Sequence, residues 1–488
     1  MDFEKSASNP IRVLFLAAEA DPLVKVGGLG DVAGSLPKAL RACRPSPDVR
    51  LVLPFHSAIN RAAYPARFLG QFPIPHPAGA MTAEAYELEL DGLPVYLIAG
   101  DLIPPNAPVY SPNMALDGPK YTFFSLAALE LARFLDWQPD ILHANDWHTA
   151  LAVYELSRRL NTDPFFAHTR SVLSIHNLPF MGAGAEASVR DFGIPFAEDT
   201  RLPEWARGFP LPMGLLTADQ IIAVSPGYAR EMLTPEFGCG LQNFLATRAD
   251  HLTGIINGID TQLWNPADDE LLTTPYEPGQ WNLRAQNKAA LQQSFHLPVD
   301  KDIPLIVCIG RMDPQKGVDL ALDGLRLAAG MNWQAIILGT GIPELEADTR
   351  RLAADFPDQV RAEIRFDSRL SHQLYAGGDI LLMPSRYEPC GLAQMIAMRY
   401  GCIPLARATG GLRDTISDVD QSSEGTGFLF NEPTPQAVKE RLSQVLVHYN
   451  DQSHWQQIQQ RGMKQNFSWH QSAVQYVRLY TQLVEGSL

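Results

Sequence analysis

The sequence predicts an α/β protein built from two Rossmann-like, doubly wound domains. Three observations predict this fold class. Apolar, β-branched runs alternate with helical patterns in both halves of the chain, a polar stretch from 264 to 286 interrupts the alternation, and a glycine pair follows both an early and a late strand. Such alternation is typical of parallel βαβ units, and 488 residues are too many for one ordinary domain.

The individual elements follow from the apolar runs and the helical patterns between them. The predicted strands are 12–16, 49–53, 95–99, 140–143, 172–175, 220–224, 304–309, 335–338, 364–366, 380–383 and 403–406. The clearest helices are predicted at 123–135, 150–160, 318–329, 345–354 and 391–400. From 434 onward the chain is predicted to be helical and long enough to cross a domain boundary, and we place the main junction near Asn257-Gly258-Ile259-Asp260.

Composition excludes several classes of partner and compartment. A net charge of −15 and a pI near 5.3 disfavour nucleic acid as a partner, and no apolar run reaches membrane-spanning length. The five cysteines are scattered and lack C-x-x-C spacing, which favours a reducing compartment without zinc or disulfides. Segment 1–10 is polar and resembles neither a signal nor a transit peptide, so a cytoplasmic protein is expected.

Two glycine turns are candidate phosphate-binding sites. Gly27-Gly28-Leu29-Gly30-Asp31 follows the first strand, and Gly410-Gly411-Leu412-Arg413-Asp414 follows the last. Paired glycines let backbone N–H groups approach an oxyanion, and a helix N-terminus adds a favourable dipole. Taken alone, however, a short glycine motif between strand and helix more often indicates close packing.

The strand at 304–309 leads into a glycine-flanked loop that carries Arg311 and Lys316. Both cations can reach one diphosphate, and each charge-assisted hydrogen bond contributes about 1.5–3 kcal/mol. The alternative is a solvated loop with two ordinary surface cations. Because the loop follows the carboxyl end of a strand, the two interpretations are about equally supported.

Glu388 is the best candidate for a catalytic carboxylate. It follows the strand at 380–383 and precedes a helix predicted to begin near Gly391, where N–H groups could hold a phosphate. The alternative is a glutamate that caps the helix. For Tyr375, base stacking and core packing remain equally open.

Polar clusters follow two successive strands of the first half. They are His143-Ala144-Asn145-Asp146-Trp147-His148 and Ser174-Ile175-His176-Asn177. Asp and His side chains suit sugar hydroxyls, and Trp147 could stack on a pyranose ring. A zinc site is disfavoured because the H-x2-D-x-H spacing lacks the helical H-E-x-x-H geometry, and no G-x-S-x-G motif supports a serine hydrolase.

A set of motifs spans the chain from residue 25 to residue 412. They are Lys25-Val26-Gly27-Gly28-Leu29-Gly30-Asp31-Val32, Asp146-Trp147-His148, His176-Asn177, Val224-Ser225-Pro226, Thr234-Pro235-Glu236-Phe237-Gly238, Asn257-Gly258-Ile259-Asp260, Trp264-Asn265-Pro266, Gly310-Arg311 with Lys316-Gly317, Arg386-Tyr387-Glu388-Pro389-Cys390-Gly391-Leu392 and Thr409-Gly410-Gly411-Leu412. In these motifs and their order the chain resembles bacterial glycogen synthases and the catalytic region of plant starch synthases, which are retaining glucosyltransferases of the GT-B fold.

The resemblance implies transfer of glucose from ADP-glucose, or less often UDP-glucose, to the non-reducing 4-hydroxyl of an α-1,4-glucan such as glycogen, starch or a maltooligosaccharide. It implies no metal and no cofactor. It further implies an acceptor domain at 1–262, a nucleotide-sugar domain at 263–465 facing it across a deep cleft, and a C-terminal helix at 466–488 that packs back on the first domain. Because Lys25 and Arg311 lie on opposite halves, the cleft is expected to close on one diphosphate.

The resemblance also assigns roles to residues. The implied catalytic residues are Asp146, His176, Arg311, Lys316 and Glu388; the implied donor-binding residues are Lys25, Gly27, Gly28, Arg311, Lys316, Gly391, Leu392, Thr409, Gly410, Gly411 and Leu412; the implied acceptor-binding residues are Asp31, Trp147, His148 and Asn177. Arg311 and Lys316 would neutralise the departing ADP, and Glu388 would stabilise positive charge at the anomeric carbon. Same-face attack assisted by the leaving phosphate would explain retention.

Departures from the family pattern occur at 118–124, after Leu178 and at 208–216, which leaves the identity of the acceptor open. A small sugar or a lipid-linked glycan is therefore an alternative acceptor, and a non-catalytic glucan-binding scaffold is a rival function. A glucan phosphorylase would need a pyridoxal-phosphate lysine site.

Overall fold

The computed structural model describes residues 10–104 and 108–486, so most of the polar segment at 1–10 lies outside the described residues. The chain divides into two compact units. Unit 1 runs to Gly258 and resumes at Trp469, and unit 2 is Ile259–Ser468. The first junction thus falls within the segment 257–260, near which the sequence pattern placed it, and before the 262/263 boundary that the resemblance implied. Arg399 of unit 2 donates to the carbonyl of Thr261 at 3.0 Å and to that of Trp264, which joins these residues to unit 2.

Unit 1 contains a nine-stranded sheet in its described residues, in the order β3-β4-β5-β2-β1-β6-β7-β8-β9. The strands are β1 (Arg12–Leu16), β2 (Asp48–Pro54), β3 (Arg67–Ile74), β4 (Met81–Leu90), β5 (Leu93–Gly100), β6 (Ile141–Asn145), β7 (Arg170–Ile175), β8 (Gln220–Ala223) and β9 (Leu252–Gly254). The helices are α1 (Gly28–Ala42), α2 (Met114–Phe134), α3 (Trp147–Arg159), α4 (Glu186–Asp191), α5 (Pro210–Thr217), α6 (Pro226–Glu231) and α7 (Gln242–Ala246).

Strand β3 pairs antiparallel with β4, and β4 pairs antiparallel with β5, at one edge of this otherwise parallel sheet. The sequence did not predict β3 or β4, because neither is a continuous apolar run: Gly70 and Pro73 interrupt β3, and polar residues alternate with apolar ones along β4. Helix α2 begins nine residues before the predicted start at 123. Gly118 and Pro119 are unfavourable in a helix interior and so argued against a helix in these first turns. Asn113 nevertheless caps the helix by accepting from the Ala115 N–H at 3.0 Å.

Unit 2 contains a six-stranded parallel sheet in the order β12-β11-β10-β13-β14-β15, which is the doubly wound Rossmann order. The strands are β10 (Leu305–Ile309), β11 (Gln334–Gly339), β12 (Val360–Ile364), β13 (Ile380–Met383), β14 (Ile403–Arg407) and β15 (Phe428–Phe430). The helices are α8 (Trp281–Ser294), α9 (Val318–Leu327), α10 (Pro343–Asp355), α11 (Ser368–Gly377), α12 (Ala393–Arg399), α13 (Gly410–Thr415), α14 (Pro435–Asn450) and α15 (Gln452–Met463).

The prediction of two parallel α/β sheets is confirmed. The strand predicted at 364–366 lies earlier, at β12, because β12 is an edge strand whose polar residues are tolerated at the partly exposed edge. The last helix, α16 (Trp469–Glu485), belongs to unit 1, where Trp469, Tyr476 and Tyr480 join the core formed by β1, β2 and α1.

Each sheet has one point at which the strand order reverses. In unit 1 this switch point lies between β1 and β6, and in unit 2 it lies between β10 and β13. Open α/β sheets bind ligands at the carboxyl ends of the strands at such points, so these two places are the candidate positions for a functional site. Among the described residues no helix is long and apolar enough to cross a membrane.

Candidate functional site

The switch point of unit 2 holds a pair of opposite charge, formed by a partly exposed lysine and a buried glutamate. Lys316 lies in the loop after β10, and Glu388 lies in the loop after β13. The Lys316 Nζ atom donates to both carboxylate oxygens of Glu388, at 2.9 and 2.7 Å. Glu388 is only 4% exposed, and Ser385 also donates to its Oε2 atom at 3.1 Å. The pair places an ammonium and a carboxylate side by side at the carboxyl end of the sheet.

Asp313 contacts both cationic residues of the loop after β10. Its Oδ1 atom accepts from the backbone N–H of Lys316 at 2.9 Å, and its Oδ2 atom lies 3.3 Å from Arg311 Nη1. The Arg311 side chain remains 60% exposed. An exposed guanidinium near an ammonium that is held in place is better suited to binding an anionic ligand than to a purely structural role. Asp313 was not identified from the sequence.

Glu388 does not cap a helix, so the capping alternative is wrong. Helix α12 begins at Ala393 rather than near Gly391, and its N-cap residue Leu392 makes no side-chain capping bond. Gly391 has a φ of 73°, and a Cβ added there would lie 2.5 Å from the Gln394 side chain. The glycine therefore allows the sharp turn that leads from Glu388 into α12.

The second glycine pair is a packing element. The Gly411 N–H donates to the Glu388 carbonyl at 3.0 Å, and the Leu412 N–H donates to the Thr409 carbonyl at 3.0 Å. A Cβ at Gly411 would lie 2.2 Å from the Cys390 carbonyl oxygen. The N–H groups of Gly411 and Leu412 are thus already bonded within the protein, and Thr409 and Gly410 are buried beside them. That residues 409–412 line the donor phosphates stays a prediction.

The core-packing alternative holds for Tyr375, because it is buried against Trp264 and Tyr400. Phe366, which follows β12, is 83% exposed. Its place within the predicted strand 364–366 gave no sign of this exposure.

The first glycine turn, at the switch point of unit 1, already binds a carboxylate of the protein itself. Glu19 is buried at the end of β1 and accepts from the N–H groups of Val26 and Gly27, the latter at 3.0 Å. Tyr110 also donates to Glu19, at 2.9 Å. Burial raises the pKa of the Glu19 carboxyl above its ordinary value, and these hydrogen bonds oppose the rise. The Gly27 N–H is thus already bonded within the protein, and the donor-side role expected of the Gly27-Gly28 turn stays a prediction.

Lys25 and Asp31 lie on the outer side of this turn. Lys25 Nζ donates to Asp31 Oδ1 at 2.5 Å, and the lysine side chain is 40% exposed. Burial raises the pKa of the Asp31 carboxyl, and Lys25 opposes the rise. A Cβ added at Gly28 would meet nothing within 4 Å, so this side of the turn is open to a ligand.

Asp146 occupies a strained position directly after β6, with a φ of 55°. Its Oδ1 atom accepts from the His176 N–H at 2.7 Å and more weakly from the Asn177 N–H at 3.4 Å. Burial raises the pKa of Asp146 to about 7, although both backbone hydrogen bonds lower it. Strain of this kind in a non-glycine residue is typical of functional sites.

His176 is held in one tautomer by its neighbour Asn145. The Asn145 Nδ2 atom donates to the Leu16 carbonyl at 2.8 Å, so its Oδ1 atom accepts from His176 Nε2 at 2.9 Å. The proton is therefore on Nε2, and Nδ1 is the acceptor. Burial lowers the pKa of His176 to about 4. A neutral imidazole with an acceptor nitrogen suits a sugar hydroxyl.

Two further buried polar atoms in this region lack partners within the described residues. They are His148 Nδ1 and Asn177 Oδ1. Unsatisfied buried polar atoms are costly and indicate a ligand that hydrogen-bonds to them. Trp147, by contrast, is 3% exposed and packs against Tyr121 and Gly182. The expectation that Trp147 stacks on a sugar is wrong.

His143 points away from this cluster. Its Nδ1 atom lies 2.6 Å from the Tyr480 hydroxyl of α16, and its Nε2 atom lies 2.7 Å from the Ser174 hydroxyl. It therefore cannot join Asp146 and His148 around a metal ion. In the described ranges no group of three or more His, Cys, Asp or Glu residues is arranged to hold a metal.

Lys120 explains the departure from the family pattern at 118–124. Its Nζ atom donates to Asp117 at 2.8 Å and to the carbonyls of Pro108 and Val109 at 2.9 and 2.8 Å. Burial lowers the pKa of this lysine, and Asp117 opposes the change. These hydrogen bonds fix the segment that carries Tyr110. The departure from the family pattern at 118–124 therefore lies in a buried structural contact.

Glu19, Tyr110 and Asn145 were not assigned roles from the sequence. Tyr110 and Asn145 bond residues distant in the chain, and Glu19 bonds a turn that lies beyond an irregular segment, so no motif spacing signals these contacts. Only the asparagine was visible at all, as a member of the polar cluster that follows β6.

Two family models match the chain. The model described as the starch synthase catalytic domain matches residues 12–247, and the model described as glycosyl transferases group 1 matches residues 291–462. Among curated relatives, the glycogen synthases of Geotalea daltonii and Thermotoga maritima are each 39% identical to this chain, and each alignment covers 96% of this chain and 98% of the relative.

Solved structures give the same picture. The catalytic domain of Starch Synthase IV from Arabidopsis thaliana, bound to ADP and acarbose, has a TM-score of 0.89 at 32% identity and covers 98% of this chain and 100% of its own. Sucrose-phosphate synthase from Thermosynechococcus elongatus has a TM-score of 0.61 at 18% identity, with coverage of 98% and 100%. At that identity the second likeness shows the fold alone.

Proposed function

Because this chain belongs to the glycogen and starch synthase family of glucosyltransferases, we propose that it elongates α-1,4-glucans with glucose from ADP-glucose and retains the configuration of that glucose. The GT-B fold and the enzyme class expected from the sequence are confirmed. The finer proposal depends on the Lys316–Glu388 pair beside Arg311. An ammonium that suits a diphosphate lies 2.7 Å from a carboxylate that suits a sugar.

The donor roles proposed for unit 2 follow from this arrangement. Arg311 and Lys316 bind the diphosphate and neutralise the negative charge that grows as ADP leaves, which is the electrostatic stabilisation that usually dominates such steps. Glu388 binds the donor glucose and stabilises positive charge at its anomeric carbon. Gly391 and Leu392, partly exposed at the start of α12, line the phosphates.

The reaction breaks the bond between the anomeric carbon and the phosphate oxygen, and it forms a bond from that carbon to the acceptor 4-oxygen on the same face. The proton of the acceptor hydroxyl passes to the departing phosphate oxygen, so no carboxylate nucleophile is required. This route accounts for retention without a covalent glucosyl-enzyme intermediate.

The roles proposed for unit 1 concern sugar hydroxyls. The acceptor nitrogen of His176 and the carboxyl of Asp146 bind hydroxyls at the reacting end, while His148 Nδ1 and Asn177 Oδ1 accept from others. These two buried polar atoms, which lack partners among the described residues, support this assignment, because a glucan supplies many O–H donors. Lys25 is proposed to contact the donor diphosphate, and Asp31 to bind acceptor hydroxyls.

The test compares kcat/KM for ADP-glucose and UDP-glucose on maltooligosaccharides and on glycogen. The proposal expects α-linked chain elongation and a preference for ADP-glucose, with the anomeric configuration of the product read by proton NMR. Preference for UDP-glucose would overturn the donor assignment, and a β-linked product would overturn retention. Hydrolysis of ADP-glucose without chain elongation would indicate a different acceptor.

A further inference from the structure

The two loops that carry Lys316 and Glu388 touch each other backbone to backbone. Gly317 has a φ of 64°, and a Cβ added there would lie 2.1 Å from the Pro384 carbonyl oxygen. The Arg386 N–H donates to the Gln315 carbonyl at 2.8 Å. These contacts leave no room for a side chain at 317, so the spacing between the loops depends on how they are bonded.

The side chain of Arg386 bonds to both ends of the Lys316 loop. Its Nη1 atom donates to the Pro314 carbonyl and to Asp319 Oδ1, both at 2.8 Å, and its Nη2 atom donates to Asp319 Oδ2 at 2.6 Å. Pro314 lies two residues before Lys316, and Asp319 lies three residues after it, in the first turn of α9. The planar guanidinium therefore spans the turn on which Lys316 sits.

The same arginine belongs to the segment that holds Glu388. It follows Ser385, which donates to Glu388, and it precedes Glu388 by two residues. A single side chain thus connects the backbone around Lys316 to the backbone around Glu388. Hydrogen bonding from Arg386 is also the largest cause of the lowered pKa of the Asp319 carboxyl.

Ordinary stability does not account for this arrangement. Arg386 and Asp319 are 38% and 41% exposed, and an ion pair with that exposure contributes little to folding. Its bidentate geometry instead restricts direction. What the pair determines is the position of the loop, and hence of the ammonium at its centre.

We propose that Arg386 and Asp319 form a positioning pair that holds Lys316 and Glu388 at the spacing needed for the diphosphate and the donor glucose. The inference rests on the function proposed above and assigns neither residue a contact with substrate. Without the pair, the turn that carries Lys316 loses its side-chain connection to the segment of Glu388, so its position relative to Glu388 is less restricted. A displacement of 1 Å in a reacting geometry can lower the rate by about 100-fold.

The test begins with Arg386→Ala and Asp319→Asn, each assayed for glucan elongation. We expect kcat to fall about 10- to 100-fold in Arg386→Ala, with a smaller fall in Asp319→Asn and no change in KM for the glucan. Arg386→Lys should fall between, because lysine provides charge without the planar fork. Rescue by lysine to the level of the wild type would count against a positioning role.

The matched control is Arg326→Ala. Arg326 forms the same kind of ion pair from the same helix, with Asp323 at 2.7 Å and Asp348 at 2.8 Å, and it contacts neither loop. Its loss should lower the melting temperature as much as Arg386→Ala does and leave kcat unchanged. Equal losses of kcat in the two variants would show that both act through stability, and the inference would be overturned.

A double-mutant cycle separates positioning from a general structural role. If Arg386 acts through Lys316, then Arg386→Ala should cost little further kcat once Lys316→Ala is present, since residues that act as a unit are not additive. Multiplicative effects would overturn the inference. If Arg386→Ala fails to fold, Asp319→Asn and Arg386→Lys enter the same cycle.

Affinity for ADP gives a readout that does not need turnover. Arg386→Ala should weaken ADP binding about fivefold while Lys316 is present, and not at all in Lys316→Ala. If the ADP affinities of the wild type and the variants followed this pattern but the wild type elongated no glucan, the proposed function would fail and the inference would stand. An ADP affinity that Arg386→Ala leaves unchanged would refute the inference in either case.

Discussion

Glu388 and Lys316 form one hydrogen-bonded ion pair rather than two independent residues. The lysine bonds both oxygens of a carboxylate that is otherwise buried, so removing either partner leaves an isolated charge in the site. The sequence could identify both residues because each follows a strand of a parallel sheet. It could not show that they are bonded to each other, since 72 residues separate them.

Substitution of this pair should therefore be severe and non-additive. We expect Glu388→Gln and Lys316→Ala each to lower kcat about 100-fold or more, and the double variant to be little worse than either single one. Steady-state assays with ADP-glucose and maltooligosaccharide measure this. Glu440→Gln, on the exposed face of α14, is the control. Near-wild-type turnover in both single variants would contradict the assignment.

The raised pKa of Asp146 predicts how stability depends on pH. Its folded-state pKa is about 7, compared with an ordinary value of 3.8, so the folded protein favours the protonated form. The resulting stabilisation is fully present below about pH 4 and is lost as pH rises to about 7. Asp146→Asn removes this titration while keeping an oxygen for the His176 N–H.

Urea unfolding of the wild type and of Asp146→Asn, at pH values from 4 to 8, measures the effect. Relative to the wild type, the variant should gain stability across that range, by about 1.4 kcal/mol for each unit of pKa shift, and the difference should level off above pH 7. Asp250→Asn, at an exposed site of unit 1, should show no such trend. A constant difference between wild type and Asp146→Asn would show that Asp146 is not protonated at neutral pH.

At the scale of elements, apolar runs predicted the parallel strands well because those strands are buried on both faces and contain few polar residues. Irregular segments were predicted less well. Glu19 stands in the apolar sequence Ala17-Ala18-Glu19-Ala20, which gives no sign that its carboxylate holds the turn at 26–27. The two glycine turns were likewise both candidates for phosphate binding, and nothing in the sequence indicated that one binds Glu19 and that the other packs on Cys390.

The turn held by Glu19 gives a prediction about local mobility. Glu19→Gln should replace one acceptor oxygen by an amide that cannot accept from the N–H groups of Val26 and Gly27. Tyr110→Phe should remove a donor from the same carboxylate. Each change leaves a buried polar group unsatisfied at a cost of about 1–3 kcal/mol, so local opening of the turn should become roughly tenfold more frequent.

Hydrogen exchange with mass spectrometry on peptides covering 24–31 measures that opening. Tyr86→Phe is the control, since its hydroxyl bonds the partly exposed Glu84 at 2.8 Å, away from the turn. Unchanged exchange in both Glu19→Gln and Tyr110→Phe would show that the turn does not depend on Glu19.

On the scale of the molecule, the order of elements determined what could be predicted. The switch point between β10 and β13 follows from the strand order, and the sequence placed Arg311, Lys316 and Glu388 beside it. The membership of each unit was harder to assign, because it depends on which surface the last helix covers. The amphipathic pattern shows that α16 buries one face, and only the packing shows that this face lies against the core of unit 1.

Helix α16 completes the core of unit 1, so its removal should unfold that unit selectively. Trp469, Tyr476, Tyr480 and Leu483 are buried in that core, and each large apolar side chain contributes about 1.5–3 kcal/mol. Together these four contributions are comparable with the whole unfolding free energy of a domain, which is about 5–15 kcal/mol. Unit 2 has its own apolar core, formed within Ile259–Ser468.

A chain that ends at residue 468 should therefore lose the unit 1 unfolding transition in calorimetry while a cooperative unit 2 transition remains. Tyr480→Phe is the graded version: it removes the hydroxyl bonded to His143, costs about 1–3 kcal/mol, and should shift only the unit 1 transition. Tyr449→Phe, in the unit 2 core, should shift the other one. If the shortened chain kept both transitions, α16 would be a surface helix rather than part of the unit 1 core.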